Sequence, residues 1–246
     1  NMDQLSHLLI CIVSKIGQIN ALLDEDARLW KTSQVARVLI INQDIISEVS
    51  DDMLNLFDKV ISIPTQKERP LFPEFCPQKL RQIIISQQAL YQSQETLVYC
   101  GGEGNITHVA QAIDGLSVQG FTADKAILFR DKTQMKAFVK SHGISVPEFI
   151  ADIKGMTFHE LTDVLGTPFV IKPTDEGGAF GFHLISDEKD FLQALEIIDD
   201  IECYQAESYL DGELYHVDSV QCLGDNPISL VSEYLFPMAR CLDGMP

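Results

Sequence analysis

Lys172 ends an apolar run, Pro168-Phe169-Val170-Ile171-Lys172, and leads straight into Pro173-Thr174-Asp175-Glu176-Gly177-Gly178-Ala179-Phe180-Gly181-Phe182. A cation at the mouth of a glycine-rich loop suits a phosphate group. Glycine lets the backbone turn successive N–H groups toward an anion, and a lysine adds a mobile point charge beside them. Taken alone, the same residues also suit a solvated strand end and an ordinary glycine hairpin. Upstream, Arg130-Asp131-Lys132 falls within a helical segment, where the alternative is a solvated helix face. Downstream, Gln205-Ala206-Glu207-Ser208-Tyr209-Leu210-Asp211-Gly212-Glu213 carries carboxylates whose alternative is exposed strand polarity. His183 and His216 are read as structural, with no neighbouring carboxylate or nucleophile to make either a base.

A second glycine turn, Tyr99-Cys100-Gly101-Gly102-Glu103-Gly104-Asn105, leaves a strand and opens a helix at 106–113. Ligand-binding turns at the carboxyl end of a parallel sheet have this form, and so do tight strand-to-helix turns that simply need glycine. It follows a late strand and lacks the dinucleotide glycine spacing, which argues against a nicotinamide- or flavin-dependent oxidoreductase.

The elements that must position these groups follow from the hydrophobic pattern. Up to about residue 120, apolar runs at 8–13, 38–41, 60–63 and 97–99 alternate with longer amphipathic stretches such as 79–92. That alternation predicts a parallel α/β sheet. Pro64, Pro70, Pro73 and Pro77 impose an irregular connection ahead of the 79–92 helix. Segment 123–141 reads as one helix, closed by His142-Gly143 and followed by an extended exit into Pro147. Beyond Pro168, strands are expected at 169–172, 182–185, 203–210, 215–222 and 228–235 around a helix at 188–198. That is a small, largely antiparallel α+β unit, with Asp211-Gly212 turning between two of its strands.

The chain has 246 residues, 46% of them hydrophobic, which suffices for one or two domains at about 100–200 residues each. A formal charge of −18, with 18 lysines and arginines in no basic run, excludes nucleic acid and anionic membrane as expected partners. A phosphate ligand would have to be held by local cations against the field of the whole chain. Six cysteines, at 11, 76, 100, 203, 222 and 241, show no C-x-x-C spacing and no zinc-spaced histidines. They are expected to be reduced core thiols of a cytoplasmic protein. The run at 8–13 is too short to span a membrane and follows Asp3 where a signal peptide would carry a cation. Asn1 ahead of Met2 is read as an added remnant.

Asp131-Lys132, then Lys172 with its glycine loop, then the stretch 205–213 stand in an order that resembles the ATP-grasp superfamily over about 121–222. The α/β region before it resembles the pre-ATP-grasp domain of carboxylate–amine or carboxylate–thiol ligases. The resemblance implies a pre-ATP-grasp domain over 1–120 and an ATP-grasp domain over 121–246, with a lid subdomain at about 153–210. It implies ATP and Mg2+ as ligands, with Lys132 and Lys172 on the α- and β-phosphates. The loop 175–182 would fold over the triphosphate through the backbone amides of Gly177, Gly178 and Ala179. Adenine would be held by the Ser208 carbonyl and the Leu210 N–H with Glu207 beside it, and the ribose hydroxyls by Glu213. A flat base read by backbone groups and vicinal hydroxyls read by a carboxylate agree with that division.

The implied activity is ligation of a small-molecule carboxylate to an amine through an acylphosphate, in an enzyme family where homodimers are common. Two departures stand out. Ala179 occupies a position where many relatives carry a small hydroxyl residue. The chain also reaches Met245-Pro246 before any pattern resembling the family's acidic and asparagine metal ligands, so the expectation is an incomplete, by itself inactive, portion of a ligase. The alternative is a non-catalytic nucleotide-binding or regulatory module.

Overall fold

The computed structural model describes residues 5–22, 34–66, 73–220 and 228–235; Pro70, Cys222, Cys241 and the terminal Met245-Pro246 lie outside them. The chain divides into two compact units, Asn1–Arg130 and Asp131–Pro246.

The first unit contains β1 (His7–Val13), α1 (Ile16–Leu22), β2 (Val35–Asn42), α2 (Asp51–Leu54), β3 (Lys59–Ile63), α3 (Pro77–Tyr91), β4 (Glu95–Cys100), α4 (Ile106–Ile113) and α5 (Ala123–Ile127). Its four strands form one parallel sheet in the order β3-β2-β1-β4. Each expected apolar run is the centre of a slightly longer strand. Side chains alternate between the two faces of a strand. Leu8, Ile10 and Ile12 therefore pack with Phe75, Leu80, Ile84 and Ile113 on one side. Cys11 and Val13 join Leu39, Ile41 and Val49 on the other. A sheet covered on both faces explains why these strands read as unbroken apolar runs. Pro77 starts α3 where no backbone N–H is needed, and Gln92, left-handed at φ 48°, ends it.

Strand order reverses between β1 and β4, and the glycine turn after β4 stands at that reversal. Buried Asn105 pins it, accepting from the Phe75 N–H at 2.8 Å and donating to the Pro73 carbonyl at 2.8 Å. Arg130 donates to Glu103 at 2.6 Å. A β-carbon on Gly102 would stand 2.8 Å from Gln18 Nε2 and 3.1 Å from Ser14 Oγ. A larger residue here would displace the Gln18 side chain from the end of β1.

The second unit contains α6 (Lys132–Ser141), β5 (Phe149–Ile150), α7 (Phe158–Leu165), β6 (Phe169–Pro173), β7 (His183–Ile185), α8 (Glu188–Ile197), β8 (Tyr204–Ser208), β9 (Tyr215–Val220) and β10 (Ile228–Glu233). An antiparallel sheet, β5-β8-β6-β7, packs Phe169, Ile171, Ile185 and Ala206 against Leu161 of α7 and Phe191 of α8. A reciprocal capping box of Thr157 and Glu160 starts α7. Among the described residues β9 and β10 pair only with each other. Asp211-Gly212 therefore joins two different sheets rather than closing a hairpin.

The segment read as one helix at 123–141 is two helices, α5 and α6. Asp131 causes the break: its backbone is extended and its carboxylate accepts from the Thr133 N–H at 2.8 Å and the Gln134 N–H at 3.1 Å. Burial works to raise the Asp131 carboxyl, but these bonds and the Thr133 hydroxyl outweigh it and hold it below the ordinary range. Asp131→Ala is expected to destabilise the second unit by about 1 kcal/mol, read as a lowered denaturant midpoint at unchanged m-value.

Of the four described cysteines, all free, only Cys11 is fully buried; Cys76, Cys100 and Cys203 are half-buried, so core burial holds for one of them. Burial pushes the thiol of Cys11 up to about 12 and that of Cys100 up to about 11, the latter against a bond to the Gly102 carbonyl that lowers it. Such thiols are poor nucleophiles. Among the described residues, no helix is long and apolar enough to cross a membrane.

Candidate functional site

The glycine loop joins antiparallel β6 and β7, and its backbone is left-handed at Gly178 (φ 64°), Ala179 (φ 59°) and Gly181 (φ 67°). The N–H groups of Phe180 and Phe182 close tight turns onto the carbonyls of Gly177 and Ala179, each at 3.2 Å. Those of Gly177, Gly178 and Ala179 make no backbone hydrogen bond among the described residues. Consecutive open amides in a turn of this kind are suited to an anion-binding nest.

Lys132, first residue of α6, is tied to the start of this loop. Its backbone N–H donates to the Thr174 carbonyl at 2.8 Å, and its ammonium donates to the carbonyls of Thr174 (3.4 Å) and Glu176. Lys172 enters from β6, in register with Gln205 of β8. Glu207, two residues on, shares the face of Gln205.

These positions bring a third lysine into play. Lys136, one turn after Lys132 on α6, donates to Glu207 Oε2 at 2.5 Å and to Gln205 Oε1 at 2.6 Å, while Lys172 donates to Glu207 Oε1. Gln205 also donates to Glu207 Oε2 at 3.2 Å, and the Phe149 ring centroid lies 4.4 Å from Lys136 Nζ. Burial works to raise the Glu207 carboxyl, but the Lys172 charge and the hydrogen bonds from both lysines outweigh it, and Glu207 stays below the ordinary carboxylate range. Burial pulls the Lys136 ammonium down, against the bond and charge of Glu207.

All nine residues singled out from the sequence, Lys132, Lys172, Gly177, Gly178, Ala179, Glu207, Ser208, Leu210 and Glu213, line one cleft of about 1040 Å³. Its volume is at the upper end of the range of small-molecule sites. Their states differ. Glu207 is held by two lysines rather than standing alone. Glu213 accepts from the Tyr215 hydroxyl at 2.8 Å, which raises the Tyr215 phenol. Ser208 is fixed through its N–H to Glu148 (2.9 Å) and its hydroxyl to Leu165 (2.8 Å), both carbonyls, and Leu210 is exposed. His183 also lines the cleft, and burial lowers its imidazole. His216, read as lacking a carboxylate neighbour, has one: Asp218 at 3.2 Å.

Sequence reasoning missed Lys136, Gln205 and Tyr215. Lys136 left one signal, its place four residues after Lys132, which puts both ammonium groups on one face of a helix. Among the described residues no group of three His, Cys, Asp or Glu side chains could hold a metal ion.

Comparison with known proteins places this geometry. Over 99 residues the chain is 31% identical to a D-alanine–D-alanine ligase of Synechococcus sp. (strain JA-2-3B'a(2-13)). Over 133 residues it is 27% identical to a D-alanine–D-alanine ligase of Nitrosomonas europaea. It overlays on N5-carboxyaminoimidazole synthetase from Staphylococcus aureus, solved with ADP, at TM-score 0.65 and 16% identity over 97% of this chain. An L-amino acid ligase from Bacillus licheniformis overlays at TM-score 0.63 and 16% identity over 94% of it. The chain shares the ATP-grasp fold of these solved structures. The chain matches the two D-alanine–D-alanine ligases over 39% and 53% of its own length, and spans 30% and 42% of theirs. It spans 58% and 51% of the two solved chains. No family model matches it.

Proposed function

We propose that the chain is the ATP-binding portion of an ATP-dependent carboxylate–amine ligase. The supporting observation is the single cleft in which a glycine-loop nest, two lysines and a strand-end backbone meet in the order that phosphates, base and ribose require. The triphosphate lies under the loop amides of Gly177, Gly178 and Ala179, with Lys132 and Lys172 neutralising its charge. Adenine sits against the backbone of Ser208 and Leu210 beside Glu207, and Glu213 takes the ribose hydroxyls after release from Tyr215.

In the reaction, a substrate carboxylate oxygen bonds to the γ-phosphorus as the bond to the ADP oxygen breaks. An amine then attacks the acyl carbon and phosphate departs. The residues of this chain bind, orient and supply electrostatic stabilisation; none is placed as an acid or base. Mg2+ is commonly held by one or two carboxylates together with the phosphates of its nucleotide. The class proposed for the substrates is a small carboxylate and an amine.

Calorimetric titration with a non-hydrolysable ATP analogue and magnesium tests the assignment. A hydrogen bond to a charged partner contributes about 1.5–3 kcal/mol, so Lys172→Ala is expected to bind at least about tenfold more weakly. Unchanged affinity would remove Lys172 from the phosphate site.

A further inference from the structure

Two ammonium groups share one carboxylate in this cleft. Lys136 takes Oε2 of Glu207 and Lys172 takes Oε1, so the trio carries one surplus positive charge. The two lysines are not equivalent. The Lys136 side chain is only 7% exposed, whereas that of Lys172 is 25% exposed and lines the cleft. Lys136 is therefore placed to act on Glu207 and not on a ligand.

We propose that Lys136 is a positioning residue for anion binding: it takes one oxygen of Glu207, so that Lys172, bonded to the other, is only partly compensated and keeps positive charge for the phosphates. This rests on the nucleotide reading of the cleft. Without Lys136, both oxygens of Glu207 could close on Lys172, and the pair would meet a polyanionic ligand as a neutral unit. In a chain of formal charge −18, that surplus is a large part of what draws phosphate to this spot. Glu207 faces Lys136 from α6, Lys172 from β6 and Gln205 from its own strand, while Phe149 of β5 and the charge of Asp131 bear on Lys136.

The test is a charge-swap cycle in the full chain: Lys136→Met, Lys136→Arg, Glu207→Gln and Lys136→Met with Glu207→Gln. One readout is affinity for the non-hydrolysable ATP analogue with magnesium, and the other is the titration of the Glu207 carboxyl by carbon-13 NMR without nucleotide. Lys136→Met is expected to bind about tenfold more weakly, equivalent to about 1.4 kcal/mol. Lys136→Arg, which keeps the charge, should stay within about threefold of the parent. The double variant again carries one net positive charge, on Lys172, and should bind more tightly than Lys136→Met; any loss from changing Glu207 beside adenine is read from Glu207→Gln alone. A lysine that only fills space would leave the double variant at least as weak as the single one.

Parent-like binding by Lys136→Met, or no recovery in the double variant, overturns the proposal. The double variant removes both buried charges together, so it remains interpretable if Lys136→Met alone does not fold; it must then bind more tightly than Lys172→Ala. If the parent chain binds no nucleotide, the ATP reading falls by itself. The NMR titration then decides separately: a Glu207 midpoint that rises in Lys136→Met and returns in Lys136→Arg supports the hold on Glu207, and an unmoved midpoint overturns it.

Discussion

Glu207→Ala is expected to destabilise the second unit by about 3–5 kcal/mol, because removing one member of a buried ionic group leaves the remaining charge without compensation. Here two ammonium groups would be left facing one vacated position, and one of them, Lys136, is almost fully enclosed. The pH dependence has a definite sign. The folded-state carboxyl sits below its ordinary value of 4.5. A depressed acid contributes stability that is complete above the unfolded value and is lost as pH falls through the folded one. The gap between parent and variant should therefore be widest near neutral pH and narrow on acidification below 4.5. Denaturant unfolding across that range measures it. A loss under about 1 kcal/mol at neutral pH, the size of one ordinary hydrogen bond, would show that Glu207 does not hold the two lysines.

The carboxylate that carries this effect also marks the boundary of what the sequence made legible. The strands of the first unit were readable because a parallel sheet is apolar on both faces; β1 and β2 each contain an unbroken apolar run. Lys172, the loop and the 205–213 stretch were readable because a strand end, a glycine run and a second strand end are local features. What was not local was lost. Lys136 meets a partner 71 positions away, and no spacing rule reaches that far. Glu207 therefore read as an unpaired neighbour of adenine, when the fold makes it the centre of an ionic cluster. The helix break at Asp131 escaped for another reason: polar residues continue the helical pattern across it, and only a side chain turned back onto Thr133 and Gln134 ends the continuity. Asp211-Gly212 does fall between two strands, β8 and β9, but a turn signal does not fix which strands pair afterwards, and these two lie in different sheets.

The glycine loop offers the second large effect, since its glycines have different physical reasons to be there. Gly178 and Gly181 are both left-handed, at φ 64° and φ 67°. A β-carbon on Gly178 would meet nothing within 4 Å. On Gly181 it would stand 2.7 Å from Pro173 Cγ and 2.7 Å from the Tyr204 hydroxyl oxygen. Pro173 is a rigid ring at the end of β6, paired in register with Tyr204, so neither atom can yield without disturbing the strand pair that carries Lys172. Gly178→Ala should cost only the left-handed penalty, about 1–2 kcal/mol. Gly181→Ala adds overpacking of about 1–3 kcal/mol, for a total of about 2–5 kcal/mol. Its nucleotide affinity should also fall about tenfold, because the loop must shift before its amides reach the phosphates. Thermal unfolding and analogue titration of the two variants side by side separate the causes. Equal losses in both would mean that strain alone governs the loop, and that the contact with Pro173 does not set its position over the ligand.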